Sequence, residues 1–248
     1  MAKVKDIYAF IDRIAPYNTQ ADFDNSGYMI GDRDSEVKKI LVSLDLTRDV
    51  LLQAKEIGAD LIVNHHPVIF QPLHSVLSGE VVYETVKSGI SVISAHTNLD
   101  IAENGVNEML IKTLGFEDSF SSERDPFLKI AEIEPISSEE LIKRVADRIN
   151  PRVMFNNVRK TVRKIGFCAG AGSDCIYSSI EEGVDAFITG ESKYNMYSDA
   201  EDRDVLLITA GHFETENIII PVLAGELRKN FPELEIIEAN EKNPVNYL

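Results

Sequence analysis

The chain has 248 residues, 44% of them apolar, enough for one large domain or two small lobes with a proper core that needs no disulfide or metal staple. Its 25 basic residues stand against 41 acidic ones, a net charge of -16 that favours solubility and disfavours nucleic acid or an anionic membrane surface as a partner. No run of about 18 apolar residues exists to span a membrane, the amino terminus lacks the unbroken apolar segment of a secretion signal, and Cys168 and Cys175 do not make CxxC spacing, so a cytoplasmic protein with reduced, inert thiols is expected.

Val4, Ile7, Tyr8, Ile11 and Ile14 recur at helical spacing until Pro16 ends the first helix. The period then changes. KKILVSLD, ADLIVNHH and GISVISAH each place a short β-branched run after a turn residue, with helix-compatible TRDVLLQAKEIG and GEVVYETVKSG between them, which predicts parallel strands joined by crossover helices. The charged stretch SSERDP, Ser121 to Pro126, suggests a boundary between an N-terminal lobe of residues 1–125 and a C-terminal lobe of residues 126–248. Beyond it the organisation repeats: KIGFCAG, VDAFITG and DVLLITAGH read as buried strands, SDCIYSSIEEG and SKYNMYSDAED as the helices between them. FLKIAEIE and LEIIE add further strands, and SSEELIKRVADRI is an amphipathic helix capped by Ser137 or Ser138. The fold class is therefore α/β: two lobes with mainly parallel sheets flanked by helices.

Four of the five histidines fall immediately after predicted strands: His65 and His66 after ADLIVN, His96 after ISVISA, His212 after DVLLITAG. The carboxyl ends of parallel strands face a common crevice, where residues distant in sequence can meet. Asp100 follows His96 by four residues in AHTNLD, and Glu216 follows His212 by four in GHFETE. Such a pair shares one face of a helix. A helix starting at Gly211 or His212 is expected for the second pair, a loop for the first. Adjacent strand residues point to opposite faces, but Pro67 turns the chain at His66, so both rings can approach one crevice. A lone strand-end histidine is ordinarily structural; the conjunction of three such strand ends points to a multi-ligand site. His74, in QPLHSV, reads as structural or exposed.

Three further stretches carry polar groups of interest. Asp45 ends KKILVSLD and serves equally well as a cap for the following helix. FDNSG, with Asp24 and Asn25, is turn chemistry first and cleft lining second. CAGAGSD, Cys168 to Asp174, reads as a tight turn capped by Ser173 or Asp174, with a phosphate cradle as the alternative use.

Imidazole and carboxylate donors without thiolates suit zinc, manganese, iron or nickel better than calcium or magnesium. Three histidines and two carboxylates exceed what one open catalytic ion requires, so two ions bridged by a carboxylate are expected, about 3.5 to 4 Å apart and sharing a hydroxide nucleophile. Hydrolysis is the reaction class that follows. His96 suits the role of catalytic base or orienting group rather than that of a further ligand.

With NHHP, AHTNLD, TGE and GHFETE in this order and spacing, the chain resembles the NIF-three-like family, named after a yeast factor interacting with NGG-one, whose members also carry the name GTP cyclohydrolase I type-two homologues. The resemblance runs from FDNSGYMIG, Phe23 to Gly31, through GHFETE. It implies a homohexamer of two stacked trimers, each subunit holding a dinuclear metal site in the cleft between its lobes. Carried over, the ligands of two divalent ions are His65, His66, Asp100, His212 and Glu216, with Glu216 bridging. At this length the chain is the short form, without the family's inserted ferredoxin-like domain. It departs from the family pattern after TGE, where Tyr194, Asn195 and Tyr197 stand in place of histidine. Two readings follow: a dinuclear-metal-dependent hydrolase of a small nucleotide-like or phosphorylated substrate, the GTP cyclohydrolase type being one version, or a non-catalytic, metal-stabilised hexameric scaffold that binds a partner. A nucleic-acid role would need basic residues concentrated inside the ring, against the net charge.

Overall fold

In the computed structural model, which describes residues 1–246, two sheets form, each flanked by helices. The first unit begins with α1 (Val4–Ile14), which buries Val4, Ile7, Phe10 and Ile11 along one stripe. Strand β1 (Gly27–Ile30) follows, then β2 (Lys39–Ser43), α2 (Arg48–Ile57), β3 (Leu61–Asn64), α3 (Val81–Ser88), β4 (Ser91–Ser94) and the short α4 (Thr97–Ile101). Strands β2, β3 and β4 pair in parallel, and β3 and β4 are buried at every position, as a sheet covered on both faces requires. Thr47 opens α2 by accepting from the Val50 amide at 3.2 Å, and Gly58, at φ +66°, closes it. Two residues later the Asp60 carboxylate accepts from the amides of Lys38 (2.8 Å) and Lys39 (3.0 Å), fastening the start of β3 to β2.

The second unit contains α5 (Val106–Thr113), β5 (Phe120–Ser121), β6 (Lys129–Ser137), α6 (Ser138–Arg148), β7 (Met154–Phe155), β8 (Thr161–Cys168), α7 (Ile176–Glu181), β9 (Ala186–Thr189), α8 (Tyr194–Asp202), β10 (Leu206–Thr209) and α9 (His212–Glu216). Ser137 caps α6, accepting from the Glu140 amide at 3.1 Å, as its sequence position predicts. The sheet order is β5-β6-β8-β9-β10-β7, parallel at its centre (β8-β9-β10) and antiparallel toward both edges. The fastening seen in the first unit recurs. Gly183, at φ +71°, leads to Asp185, which accepts from the amides of Arg163 (2.8 Å) and Lys164 (3.1 Å). The units thus share one β-α-β-α-β plan: β2-α2-β3-α3-β4 in the first, β8-α7-β9-α8-β10 in the second.

The last elements, α10 (Ile219–Asn230) and β11 (Glu235–Glu238), rejoin the first sheet, whose order is β1-β4-β3-β2-β11. Strand β11 pairs in parallel with β2, Ile236 opposite Ile40. The compact units are therefore Met1–Glu103 together with the segment from Ile219 onward, and Asn104–Ile218, in place of the expected 1–125 and 126–248. The physical reason is that β2 has a second edge to be paired. LEIIE supplies the strand for it, and α10 is the crossover that packs on both β2 and β11. SSERDP instead starts at the last residue of β5 and runs toward β6, within one antiparallel hairpin. Each unit has its own core. Leu41, Val50, Leu51, Ala54, Ile62 and Val92 pack in the first, and Leu128, Ile130, Ile176, Phe187 and Leu207 in the second, each large side chain contributing about 1.5–3 kcal/mol on burial. Among the described residues no helix is long and apolar enough to cross a membrane.

Candidate metal centre

In the first unit the chain leaves β3 through Asn64, whose side chain donates to the His66 carbonyl (2.6 Å) and accepts from Ser94 Oγ (2.7 Å). Backbone bonds from the His65 amide to the Ser43 carbonyl (3.1 Å) and from His66 to Leu44 (2.9 Å) extend the parallel ladder by two residues, so both histidines start from fixed backbone. His65 is fully buried, with Nδ1 2.8 Å from the Ala95 carbonyl oxygen. A carbonyl only accepts, so Nδ1 carries a proton, and in the neutral ring the lone pair is then on Nε2. That Nε2 lies 3.5 Å from Asp100 Oδ1.

The other two rings are held the same way. His66 Nδ1 donates to Asp45 Oδ1 at 2.9 Å, and His96 Nδ1 to Asp24 Oδ1 at 2.8 Å. Burial of Asp24 pushes its carboxyl up, but hydrogen bonds from His96, Thr97 and Ser26 outweigh this and hold it well below the usual carboxylate range. Ring centroids of the three histidines are 5.0, 5.1 and 5.5 Å apart, and one nitrogen from each lies within 4.8 Å of the others. An imidazole whose Nδ1–H is given to a carboxylate or carbonyl is the state in which histidine ligates a metal through Nε2.

AHTNLD forms helix α4 where a loop was expected, with His96 as its N-cap and the Asp100 amide bonded to the His96 carbonyl (3.0 Å). Five residues cannot hold a helix by themselves. Tertiary bonds do so: Asn98 accepts from the His96 amide (3.0 Å) and donates to the Ala15 carbonyl (2.6 Å), while Thr97 Oγ1 donates to Asp24 Oδ2 (2.5 Å). Asp100 is thereby placed one turn after His96.

In the second unit α9 begins at His212, as expected, and its i,i+4 pair meets: His212 Nε2 is 3.0 Å from Glu216 Oε2. Glu216 is buried, and His212 Nδ1 lies 3.3 Å from Glu191 Oε1. Glycines create the room. A Cβ at Gly170 would sit 1.8 Å from Glu216 Oε1 and 3.1 Å from His212 Nε2, and one at Gly190 would sit 2.5 Å from the Gly170 carbonyl. Thr215 Oγ1 accepts from the Gly170 amide (3.1 Å), and the Gly211 amide donates to Gly190 (2.8 Å), so the turns after β8, β9 and β10 brace one another. CAGAGSD is accordingly not a turn capped by Ser173 or Asp174. Gly172–Cys175 is a single 3-10 turn without a side-chain cap, and the role of the stretch is to bring bare backbone against Glu216.

His65, His66, His96 and Asp100 thus gather in the first unit, and His212 pairs with Glu216 in the second. His74 is exposed. Thr47, not Asp45, caps α2; Asp45 orients His66. Glu191 was not singled out from sequence, although its place in TGE after a strand was the signal. Tyr197 bonds to Thr209 Oγ1 (2.6 Å) and Tyr194 points to solvent, so these two aromatics after TGE do not take over the contact that Glu191 makes with His212. Cys168 and Cys175 are buried. Preset imidazoles beside carboxylates suit a borderline divalent ion, so the residues present fit a metal.

Residues 2–244 match the family described as Duf34/NIF3 (NGG1p interacting factor 3). The chain is 35% identical over 252 residues to the GTP cyclohydrolase 1 type 2 homolog of Campylobacter jejuni, covering 99% of each chain. It is 30% identical over 261 residues to the protein of the same name from Clostridium perfringens, covering 99% of this chain and 100% of that one. Its fold is similar to that of the Staphylococcus aureus hypothetical protein SA1388, with a TM-score of 0.89 over 99% of each chain at 23% identity. With the match running nearly end to end and the two-sheet fold shared, the chain belongs to the Duf34/NIF3 family.

Proposed function

We propose that the protein is a cytoplasmic hydrolase, dependent on two divalent ions, that acts on a small nucleotide-like or phosphorylated substrate. The names of its relatives favour a reaction of the GTP cyclohydrolase type. In this reading His65, His66 and Asp100 of the first unit and His212 and Glu216 of the second would hold the ions. The carrying observation is that three clustered imidazoles each give Nδ1–H to a fixed acceptor, which leaves every Nε2 in the ligating state. Zinc, manganese, iron or nickel ions bound there would polarise the bond to be broken and bring the pKa of water to about 7.

The remaining steps fall to the chain itself. His96 Nε2 takes the proton that the attacking water gives up, and the ionised Asp24 behind it stabilises the imidazolium without taking the proton. Asp45 and Glu191 hold the rings of His66 and His212 in place. Metal-loaded protein assayed against nucleotides and related heterocycles should show turnover, and the Asp100→Ala variant should not; equal turnover by both rejects the assignment.

A second reading is a homohexameric scaffold, two stacked trimers, in which metals order the fold and a partner binds. Exposed Leu73, Val76 and Leu77, on the loop between β3 and α3, favour an interface there. Stripping the metal separates the readings: assembly that survives while turnover disappears rejects the scaffold role for the ions.

A further inference from the structure

The surroundings of His96 extend outward into a pair of aromatic rings that the ligand set does not use. Phe70, 41% exposed, meets the His96 ring edge-on, with centroids 6.0 Å apart and planes at 80°. Phe23, 64% exposed, stands 6.4 Å from Phe70 with planes inclined at 57°. Together they make an open V, one wall of which adjoins the imidazole cluster.

One tripeptide builds this arrangement. Asp24 fixes His96, Phe23 precedes it, and Asn25 Nδ2 donates to the Ile69 carbonyl at 2.6 Å, pinning the chain one residue before Phe70. Because that carbonyl can only accept, the orientation of the Asn25 amide is settled, and Oδ1 is its acceptor. Two large apolar side chains left in water beside a polar cluster call for an occupant. The exposed faces are the size of a single planar ring, and aromatic faces bind planar rings by stacking with little regard to ring identity. An interface between copies would draw its area from Leu73, Val76 and Leu77 further along the loop; Phe23 is not on that loop and meets Phe70 next to the Asn25 tie.

We propose that Phe23 and Phe70 are the subsite for a planar heteroaromatic ring of the substrate, which stacks on Phe70 beside His96 and donates a ring N–H to Asn25 Oδ1. This rests on the hydrolase reading of the neighbouring histidines and assigns the part of the substrate that does not react. Phe23 and Phe70 then set specificity, not rate.

The test uses metal-loaded full-length protein, with GMP as a probe that carries a base and ribose 5-phosphate as one that does not, measured by calorimetric titration. Phe23→Leu and Phe70→Leu keep apolar bulk in place. The expected result is that GMP binds more tightly than ribose 5-phosphate, that Phe70→Leu weakens GMP by about 10-fold or more while ribose 5-phosphate and metal content are unchanged, and that Phe23→Leu has a smaller effect of the same kind. Equal binding of the two probes, or GMP binding unaffected in both variants, overturns the proposal. So does a change in sedimentation alone, which would make the rings a subunit contact. Phenylalanine-dependent GMP binding without turnover of any nucleotide would reject the hydrolase reading and leave the subsite standing; nucleotide turnover with a KM indifferent to both phenylalanines would do the reverse.

Discussion

The two units run the same β-α-β-α-β plan and close it with the same spacing, His96 to Asp100 in one and His212 to Glu216 in the other, yet they position donors by opposite means. In the first, the strand ends carry large polar side chains, and each ring is aimed by a hydrogen bond on Nδ1: to Ala95 O, Asp45 or Asp24. In the second, the corresponding turns carry Gly170, Gly190 and Gly211, and the carboxylate of Glu216 fits because residue 170 has no Cβ to meet it. Side-chain aiming can be weakened by degrees. Steric clearance fails at once, because a Cβ placed 1.8 Å from an oxygen cannot be accommodated by a bond stretched a few tenths of an ångström.

Substitutions should sort accordingly. The largest effect is expected from Gly170→Ala, which displaces Glu216 and strains a backbone at φ +57°: a stability loss of about 1–3 kcal/mol in thermal unfolding, with loss of bound metal in elemental analysis. Normal metal content in this variant would contradict the clearance account. Next, Asp45→Ala should leave the fold intact and weaken metal binding by about 10- to 100-fold, since it removes only the acceptor behind His66. Competition against a chelator of known affinity measures this, and an unchanged affinity would show that His66 is aimed by something else. Glu191→Gln should cost less, within about 10-fold, because its contact with His212 is long, 3.3 Å, and solvent-exposed.

The smallest effect concerns the shared Gly-x-Asp fastening. Burial pushes the Asp185 carboxyl up, but amides of Arg163 and Lys164 and the ammonium of Lys160 prevail and lower it. A carboxyl depressed in the folded state contributes stability above its ordinary value near 3.8 and loses it as pH falls through the folded value below that. Asp185→Asn should therefore lower the neutral plateau of the melting temperature slightly while changing the acid end least, so that the acid limb flattens. An acid limb as steep as in the unaltered protein would remove Asp185 from the account.

The residues of the candidate site stand out in the sequence because chemistry confines them: histidines are few, four stand at strand ends, and the four-residue spacing to an acid repeats. What surrounds them was less so. Asp24, Asp45 and Glu191 are ordinary acids in sequence, and only the fold shows that each faces an imidazole nitrogen. AHTNLD lacks the length and propensity of a helix and becomes one through bonds to Asp24 and Ala15, which no local pattern encodes. Likewise LEIIE reads as a strand, but nothing within it says that β2 in the first sheet, some 190 residues earlier in the chain, is the edge it completes. Edge strands β5 and β7, two residues each, leave no periodicity to read.

The central claim is that hydrogen bonds to Nδ1 preset Nε2 as the ligating nitrogen before any ion arrives. Nitrogen-15 spectra of histidine side chains in metal-free and zinc-titrated protein test it directly. The prediction is that His65, His66 and His96 hold the proton on Nδ1 without metal, against the usual preference for Nε2, and that zinc then shifts Nε2 of His65 and His66 while their Nδ1 protons persist. Protons found on Nε2 of these rings, or Nε2 resonances indifferent to zinc, would contradict the account.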